Sequence, residues 1–307
     1  MFVIKHRKIF YTITSFLIIL IILAVASFGL RFAIDFTGGV SAQITYESER
    51  PPQKQIEKRL KEAGLEKYKL NSLGESSYIL RARNFTEKEQ IIEAFAVEEK
   101  DFDQHFSSIS PLIGKELSNK AQVAVGVAIL SIIIFIAIAF RKAAALTKIE
   151  KTKGVSSFKY GLIAILALLH DIAIPIGIFT LLSYFVGAEV DILLITALLT
   201  IMGYSVNDTI VVFDRIRENI EHNKEEHRDE DFELTVGKSL SQVYPRSINT
   251  SVTTAVVLIS LYFLGAQSTE NFALVLFAGV IAGTYSSIFL AAPLLVTFEQ
   301  RKNNNKK

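Results

Sequence analysis

Six apolar runs, each long enough to cross a bilayer, set what this chain can fold into. About 20 helical residues span the hydrocarbon core, and only helices or closed barrels satisfy their backbone groups there. The runs cover roughly residues 9–30, 121–140, 161–186, 190–213, 247–265 and 272–297. Hydrophobic residues make up 50% of the chain although 21% are charged, so the apolar character sits in blocks and is not spread over one soluble core. The first run is longer than the apolar part of a signal peptide, and Phe28-Gly29-Leu30 is not a small-residue cleavage site, so it reads as a retained anchor. The expected class is a membrane α-helical protein with six transmembrane helices and one inserted soluble domain.

Charge orients the spans. Lys5, Arg7 and Lys8 precede the first; Arg141, Lys142, Lys148, Lys151, Lys153 and Lys159 separate the second from the third; Arg301, Lys302, Lys306 and Lys307 follow the sixth. The positive-inside rule then puts both termini in the cytoplasm. The turns at 186–190 and 265–271 contain no Lys or Arg, in agreement with an outside position. The expected division is a cytoplasmic N-terminus and first helix over 1–30, an extracytoplasmic domain over 31–118, a five-helix bundle over 119–300 and a basic tail over 301–307.

The inserted domain has its own periodicity. Val40 to Tyr46 alternates like a strand, Gln53 to Ala63 is helical and closed by Gly64, and Tyr68 to Leu73 and Ser77 to Arg83 are strand-like around Gly74. Thr86 to Glu98 is helical and Phe102 to Ile109 strand-like. The order β-α-β-β-α-β is that of the split βαβ, or ferredoxin-like, arrangement. A different α+β lid stays open as the alternative.

Composition excludes several functions. With no cysteine, the chain has no disulfide, thiolate zinc site, iron–sulfur cluster or cysteine nucleophile. A net charge of +2 does not suggest nucleic acid. Gly237-Lys238-Ser239 resembles the end of a phosphate loop, but Phe232 stands where the leading Gly belongs, and nucleotide binding is rejected. No hydrolytic triad, metal-ligand motif or cofactor fingerprint appears, so neither an enzyme nor a cofactor is expected.

Ionisable residues inside apolar runs carry the functional signal. Asp208 costs about 2.5 to 3.5 kcal/mol to insert at membrane depth and needs a partner, water or a function. It lies before Asp214 by six residues, about 9 Å of helix, and so near the cytoplasmic exit. Asn207 and Thr209 flank it as supporting polar groups. Arg246 opens the fifth span, where most arginines simply reach headgroups. Against that bland reading, Arg246, Asn249, Thr250, Thr253 and Thr254 recur at helical spacing and form one wet face, expected to point into the bundle. His170 and Asp171 lie about 16 to 18 Å beyond Lys159, near mid-membrane. They read either as relay members or as a locked interhelical hydrogen bond, and as neighbours they are not expected to face the same way. Pro175 is expected to free backbone groups in the same span. Asp35-Phe36-Thr37-Gly38-Gly39 is either a turn into the first strand or a hinge built on Asp35, Gly38 and Gly39. Gly279 and Gly283 form a Gly-x-x-x-Gly packing pattern.

The stretch from Gly203 to Asn219, with Asn207-Asp208-Thr209 at its centre, resembles the fourth span of the SecD/SecF family of protein-export membrane proteins. The resemblance extends to Asp35-Phe36-Thr37-Gly38-Gly39, to His170-Asp171 and to Arg246-Ser247-Ile248-Asn249-Thr250-Ser251. It implies a bacterial cell-membrane subunit paired with SecD and working with the SecY, SecE and SecG channel, the two halves together similar to resistance-nodulation-division transporters. The implied activity is use of the proton-motive force to pull or hold translocating unfolded polypeptide. The family's proton-movement residues match Asp208 and Arg246, with a further essential Asp expected on SecD. Competing readings are a proton-coupled exporter of small solutes or lipids, and a passive assembly factor whose membrane charges only organise helices.

Overall fold

The computed structural model describes residues 1–307 except 48, 66–67, 83–87, 97–101, 140–156, 229 and 305–307. Its contacts divide into two compact units. One comprises Arg31–Ala124 and Glu189–Ile192; the other comprises Met1–Leu30, Val125–Ala188 and the chain from Leu193 onward.

In the first unit a short helix α3 (Ile34–Thr37) is followed by β1 (Gly39–Tyr46), α4 (Gln53–Glu62), β2 (Tyr68–Leu73), β3 (Ser77–Ala82), α5 (Lys88–Phe95) and β4 (Phe102–Ile109). The strands form one antiparallel sheet in the order β2-β3-β1-β4, with Ala42 opposite Leu80 on β3 and opposite Phe106 on β4. Side chains alternate across a strand, so Val40, Ala42, Ile44 and Tyr46 share one face and are buried. Ile56 and Leu60 on α4, one turn apart, and Ile91, Ala94 and Phe95 on α5 complete this core. Two tyrosines anchor its rim by donating to backbone carbonyls: Tyr46 to Phe95 at 2.8 Å and Tyr78 to Pro51 at 2.6 Å. Burial pushes both phenols above the ordinary tyrosine value. The expected helix at 86–98 and the end of the strand at 83 fall partly outside the described residues.

Residues 189–192 join this unit by backbone and by charge. Ala33 N–H donates to Val190 O at 2.9 Å and Val190 N–H donates to Arg31 O at 2.6 Å. Glu189, nearly buried, pairs with Arg81 on β3 at 3.3 Å and Lys69 on β2 at 3.5 Å. Asp35 accepts from Ile192 N–H at 3.2 Å. Gly38 has φ +71°, and a Cβ there would strike the backbone of Pro111. The glycine is therefore required twice over, by conformation and by space.

Among the described residues six helices are long and apolar enough to cross a membrane, all within the second unit except the first part of one and the first residue of another. After a turn of helix α1 (Phe2–Lys5) come α2 (Arg7–Phe28), α6 (Pro111–Ala139), whose first turns belong to the other unit, α7 (Ser157–Phe185), α8 (Ile192–Glu225) and α9 (Phe232–Leu264). The last is α10 (Glu270–Tyr285), continued by a π-helical segment Ser286–Ala291 into α11 (Ala292–Asn304). This last crossing is the most enclosed of the six, while α2 and α6 present most of their apolar surface outward. Pro175 lies inside α7 and Pro245 inside α9, and both helices continue through.

Helices α8 and α9 outrun the apolar runs that predicted them. At 1.5 Å per residue the 34 residues of α8 extend about 50 Å, well beyond a hydrocarbon core of about 30 Å. The excess is charged and polar and folds back as a hairpin. Asn219 donates to Ser239 and Gln242, each at 2.8 Å, and Asn223 donates to Thr235 at 3.2 Å. Gly237-Lys238-Ser239 lies within α9, where Ser239 donates to the carbonyl of Thr235 at 2.8 Å. At the same end Arg7 pairs with Glu233 at 3.1 Å and Lys159 with the buried Glu299 at 3.0 Å.

Candidate functional site

Close helix approach comes first, because it lets short side chains meet. Gly279 on α10 has no room for a Cβ, which would collide with Ile201, and at Gly283 a Cβ would be tight, 3.3 Å from the Cβ of Ser205. The Gly-x-x-x-Gly pattern thus seats α10 directly on α8. On α9 the inward stripe is Ser247, Ser251, Ala255 and Leu258, again small at its first positions. Ser251 and Thr284 share a short hydrogen bond across α9 and α10, and Tyr204 Oη lies 3.3 Å from Ser251 Oγ.

Two carboxylates sit among these contacts. Asp171 on α7 is fully buried. Its Oδ2 accepts a short hydrogen bond from Ser205 on α8 and another from Ser286 at 2.7 Å, and its Oδ1 lies 2.8 Å from His170 Nδ1. Asp208 on α8 is half-buried, with Oδ1 accepting from Ser247 on α9 at 2.7 Å and Oδ2 from Ser287 at 2.5 Å. Consecutive serines at the start of the π segment therefore hold the two acids, one each. Hydroxyls serve this purpose at low cost, since each supplies a donor without importing a second charge.

The expected site residues separate into two groups. His170, Asp171, Asp208 and Thr209 lie inward, although Thr209 Oγ1 and His170 Nε2 are buried with no hydrogen-bond partner among the described residues. His170 and Asp171, expected to face different ways, bond to one another instead. Helix α7 packs against α2, α10 and the π segment, so two adjacent positions both meet protein. The His170 ring lies 5.8 Å from that of Tyr285.

Arg246, Asn249, Thr250 and Thr253 are exposed in this chain, and Asn207 is too. The wet face of α9, expected to point into the bundle, points away from it. The reason is packing: the small stripe one position along, beginning at Ser247, gives the closer approach to α10. Among the described residues no ion pair joins Asp208 to Arg246. Asp35, Gly38 and Gly39 lie in the sheet-bearing unit, fixed by the contacts given above.

Sequence reasoning assigned no role to Ser205, Ser247, Ser286 or Ser287. The usable signal was the adjacent pair Ser286-Ser287 in the middle of an otherwise apolar run, where each hydroxyl must find a partner.

The family model for the protein-export membrane protein SecD/SecF, C-terminal, matches residues 89–151 and 157–301. The chain belongs to the SecD/SecF family. A second model, the SecD/SecF GG motif, matches residues 23–49, which include Gly38 and Gly39. The chain is 36% identical to the protein translocase subunit SecF of Thermobaculum terrenum over 97% of its own length and 94% of that protein. It is 32% identical to the protein translocase subunit SecDF of Bacillus subtilis, over 97% of this chain but 38% of that one. The crystal structure of SecDF from Thermus thermophilus, a translocon-associated membrane protein, superposes with a TM-score of 0.79 at 30% identity, covering 97% of this chain and 38% of that one. This chain thus spans about two fifths of the SecDF proteins it matches. With six membrane-length helices, this member of the family is a multi-pass membrane protein.

Proposed function

We propose that this chain is a subunit of a bacterial Sec protein-export machinery, resident in the inner membrane, which with a SecD partner uses the proton-motive force to promote translocation. The observation that carries the reading is the match to relatives named as translocase subunits over nearly the whole chain. The SecDF relative, in which the matching part is a portion of one longer chain, supports SecD as partner and the SecY, SecE and SecG channel as the assembly served. Both termini are cytoplasmic and residues about 31–118 extracytoplasmic on this reading. The order β2-β3-β1-β4, all antiparallel, with both helices packed on one face, supports a ferredoxin-like assignment for that domain.

The proton-responsive pair is Asp208 and Arg246, with His170 and Asp171 as further members. Its support is geometric. Asp208 is half-buried, and its hydrogen-bond partners among the described residues are the neutral hydroxyls of Ser247 and Ser287, which leave its charge without a paired cation. Arg246 is adjacent to Ser247, which donates to Asp208. Neighbouring positions differ by about 100° on a helix, so a turn of α9 about its axis exchanges serine for arginine beside the acid. That exchange places a positive charge beside the carboxylate where a neutral hydroxyl stood.

The test is Asp208→Asn in the full complex. Insertion and binding to SecD are retained while proton-dependent stimulation of export falls by about a hundredfold or more, the scale of losing one positioned proton-transfer group. Normal stimulation in that variant overturns the reading. Solute transport by the reconstituted chain without translocon components would instead point to an exporter.

A further inference from the structure

We infer that Ser286 and Ser287 form a two-position hydroxyl switch that passes the protonation state of Asp171 and Asp208 to the backbone at the junction of α10 with the π segment. The inference rests on the proton-coupled reading above and adds the element that responds.

A serine hydroxyl has one proton to donate. Ser287 Oγ lies 2.5 Å from Asp208 Oδ2 and 3.1 Å from the carbonyl oxygen of Thr284. Ser286 Oγ lies 2.7 Å from Asp171 Oδ2 and 3.1 Å from the carbonyl oxygen of Gly283. Each hydroxyl therefore stands between two acceptors and serves one of them well. When the carboxylate is ionised, the serine donates to it, the stronger of the two bonds. When the acid holds a proton, its own O–H donates to Oγ, and the serine proton rotates to the carbonyl. No covalent bond to serine changes, and the only proton taken up is the one on the acid.

The carbonyls of Gly283 and Thr284 are placed where this matters. The Gly283 carbonyl also accepts the N–H of Ser286, the first residue of the π segment, in which each amide bonds five residues back instead of four. The π segment begins at Ser286. A hydroxyl proton that arrives or leaves there changes how well the last α turn is satisfied, and so biases the junction between α and π hydrogen bonding. Because the serines are adjacent, one backbone unit is addressed by an acid on α7 and by another on α8. The titratable groups around them are His170 on α7, which contacts Asp171, Tyr285 on α10, whose ring lies beside His170, and Tyr204 on α8, whose hydroxyl turns to Ser251. On α9 the group facing Asp208 is Ser247, with Arg246 next to it and exposed.

The experiment uses the full chain with its SecD partner in lipid nanodiscs. Infrared spectroscopy follows the protonated-carboxyl band that is lost in Asp208→Asn, and deuterium exchange is followed over 280–292 after correction for intrinsic rates. In the unsubstituted chain, exchange changes about tenfold across the titration of that band, the effect of one hydrogen bond gained or lost. In Ser287→Ala the band still titrates but the change in exchange disappears, and Ser287→Thr restores it. Ser286→Ala, whose acid is Asp171, lowers the response without removing the Asp208 band. Exchange that still follows pH in Ser287→Ala, or that is flat in the unsubstituted chain while the band titrates, overturns the switch alone. A band that never titrates between about pH 5 and 9 overturns the proton-handling reading and the switch with it.

Discussion

Replacing Asp171 by alanine should destabilise the membrane unit through its hydrogen bonds and not through charge alone. The acid accepts from Ser205 on α8 and Ser286 on the π segment, and it meets His170 on its own helix. Interhelical hydrogen bonds in membrane proteins are worth about 0.6 kcal/mol on average and up to about 1.7. Two of them give about 1 to 3.5 kcal/mol. Truncation also removes the acceptor of the Ser205 hydroxyl, while Ser286 retains the Gly283 carbonyl, which places the total toward the upper end of that range. At about 1.4 kcal/mol per factor of ten, the unfolded fraction should rise between about fivefold and a few hundredfold. Asp171→Asn keeps one acceptor and gains a donor that the serine oxygens can accept, so it should lose less than about 1 kcal/mol. Unfolding of the reconstituted chain by steric trapping or graded denaturant measures both. An Asp171→Ala protein within about 0.5 kcal/mol of the parent, or no more stable an asparagine variant, would refute the claim that these bonds hold α7 to its neighbours.

Two further outcomes follow from packing and burial. Gly279→Val places a branched side chain against Ile201 at a site with no room for a Cβ, and should cost about 1 to 3 kcal/mol and reduce the folded yield of the full chain, as read by size-exclusion profiles. Tyr46 and Tyr78 both have phenols raised by burial, so the folded state resists ionisation that the unfolded chain undergoes near pH 10. Their stabilising contribution is complete below about pH 10 and is lost as pH climbs through the higher folded values. Near-ultraviolet circular dichroism of the full chain between about pH 9 and 12 should show the sheet-bearing unit weakening, and Tyr46→Phe with Tyr78→Phe should flatten that decline.

Periodicity made much of the architecture legible. Long apolar runs specify crossings by length alone, and β2 (Tyr68–Leu73) and β4 (Phe102–Ile109) begin and end where alternation and turn residues set them. Ends were harder. Helix α9 starts at Phe232, fifteen residues before the apolar run that announced it, because an amphipathic hairpin carries charge on one face and gives no hydropathy signal. The site was legible in its acids and not in their partners. Asp171 and Asp208 stand out in apolar surroundings, whereas a serine in a membrane helix is small enough to be either packing or ligand. Which face of α9 turns inward is hidden in the sequence for the same reason: polarity points to Arg246, but fit decides for Ser247.

The π segment also has a consequence for counting. One extra residue in a turn advances every later side chain by about 100° relative to an unbroken α-helix. The sixth crossing therefore carries two faces in different phase, one ending at Tyr285 and one beginning at Ala292. Shortening the chain by a single residue between 288 and 291 would bring the phases together and swing Glu299 away from Lys159, its partner at the far end. Alignments of related chains should accordingly tolerate substitution in this segment more readily than a one-residue gap.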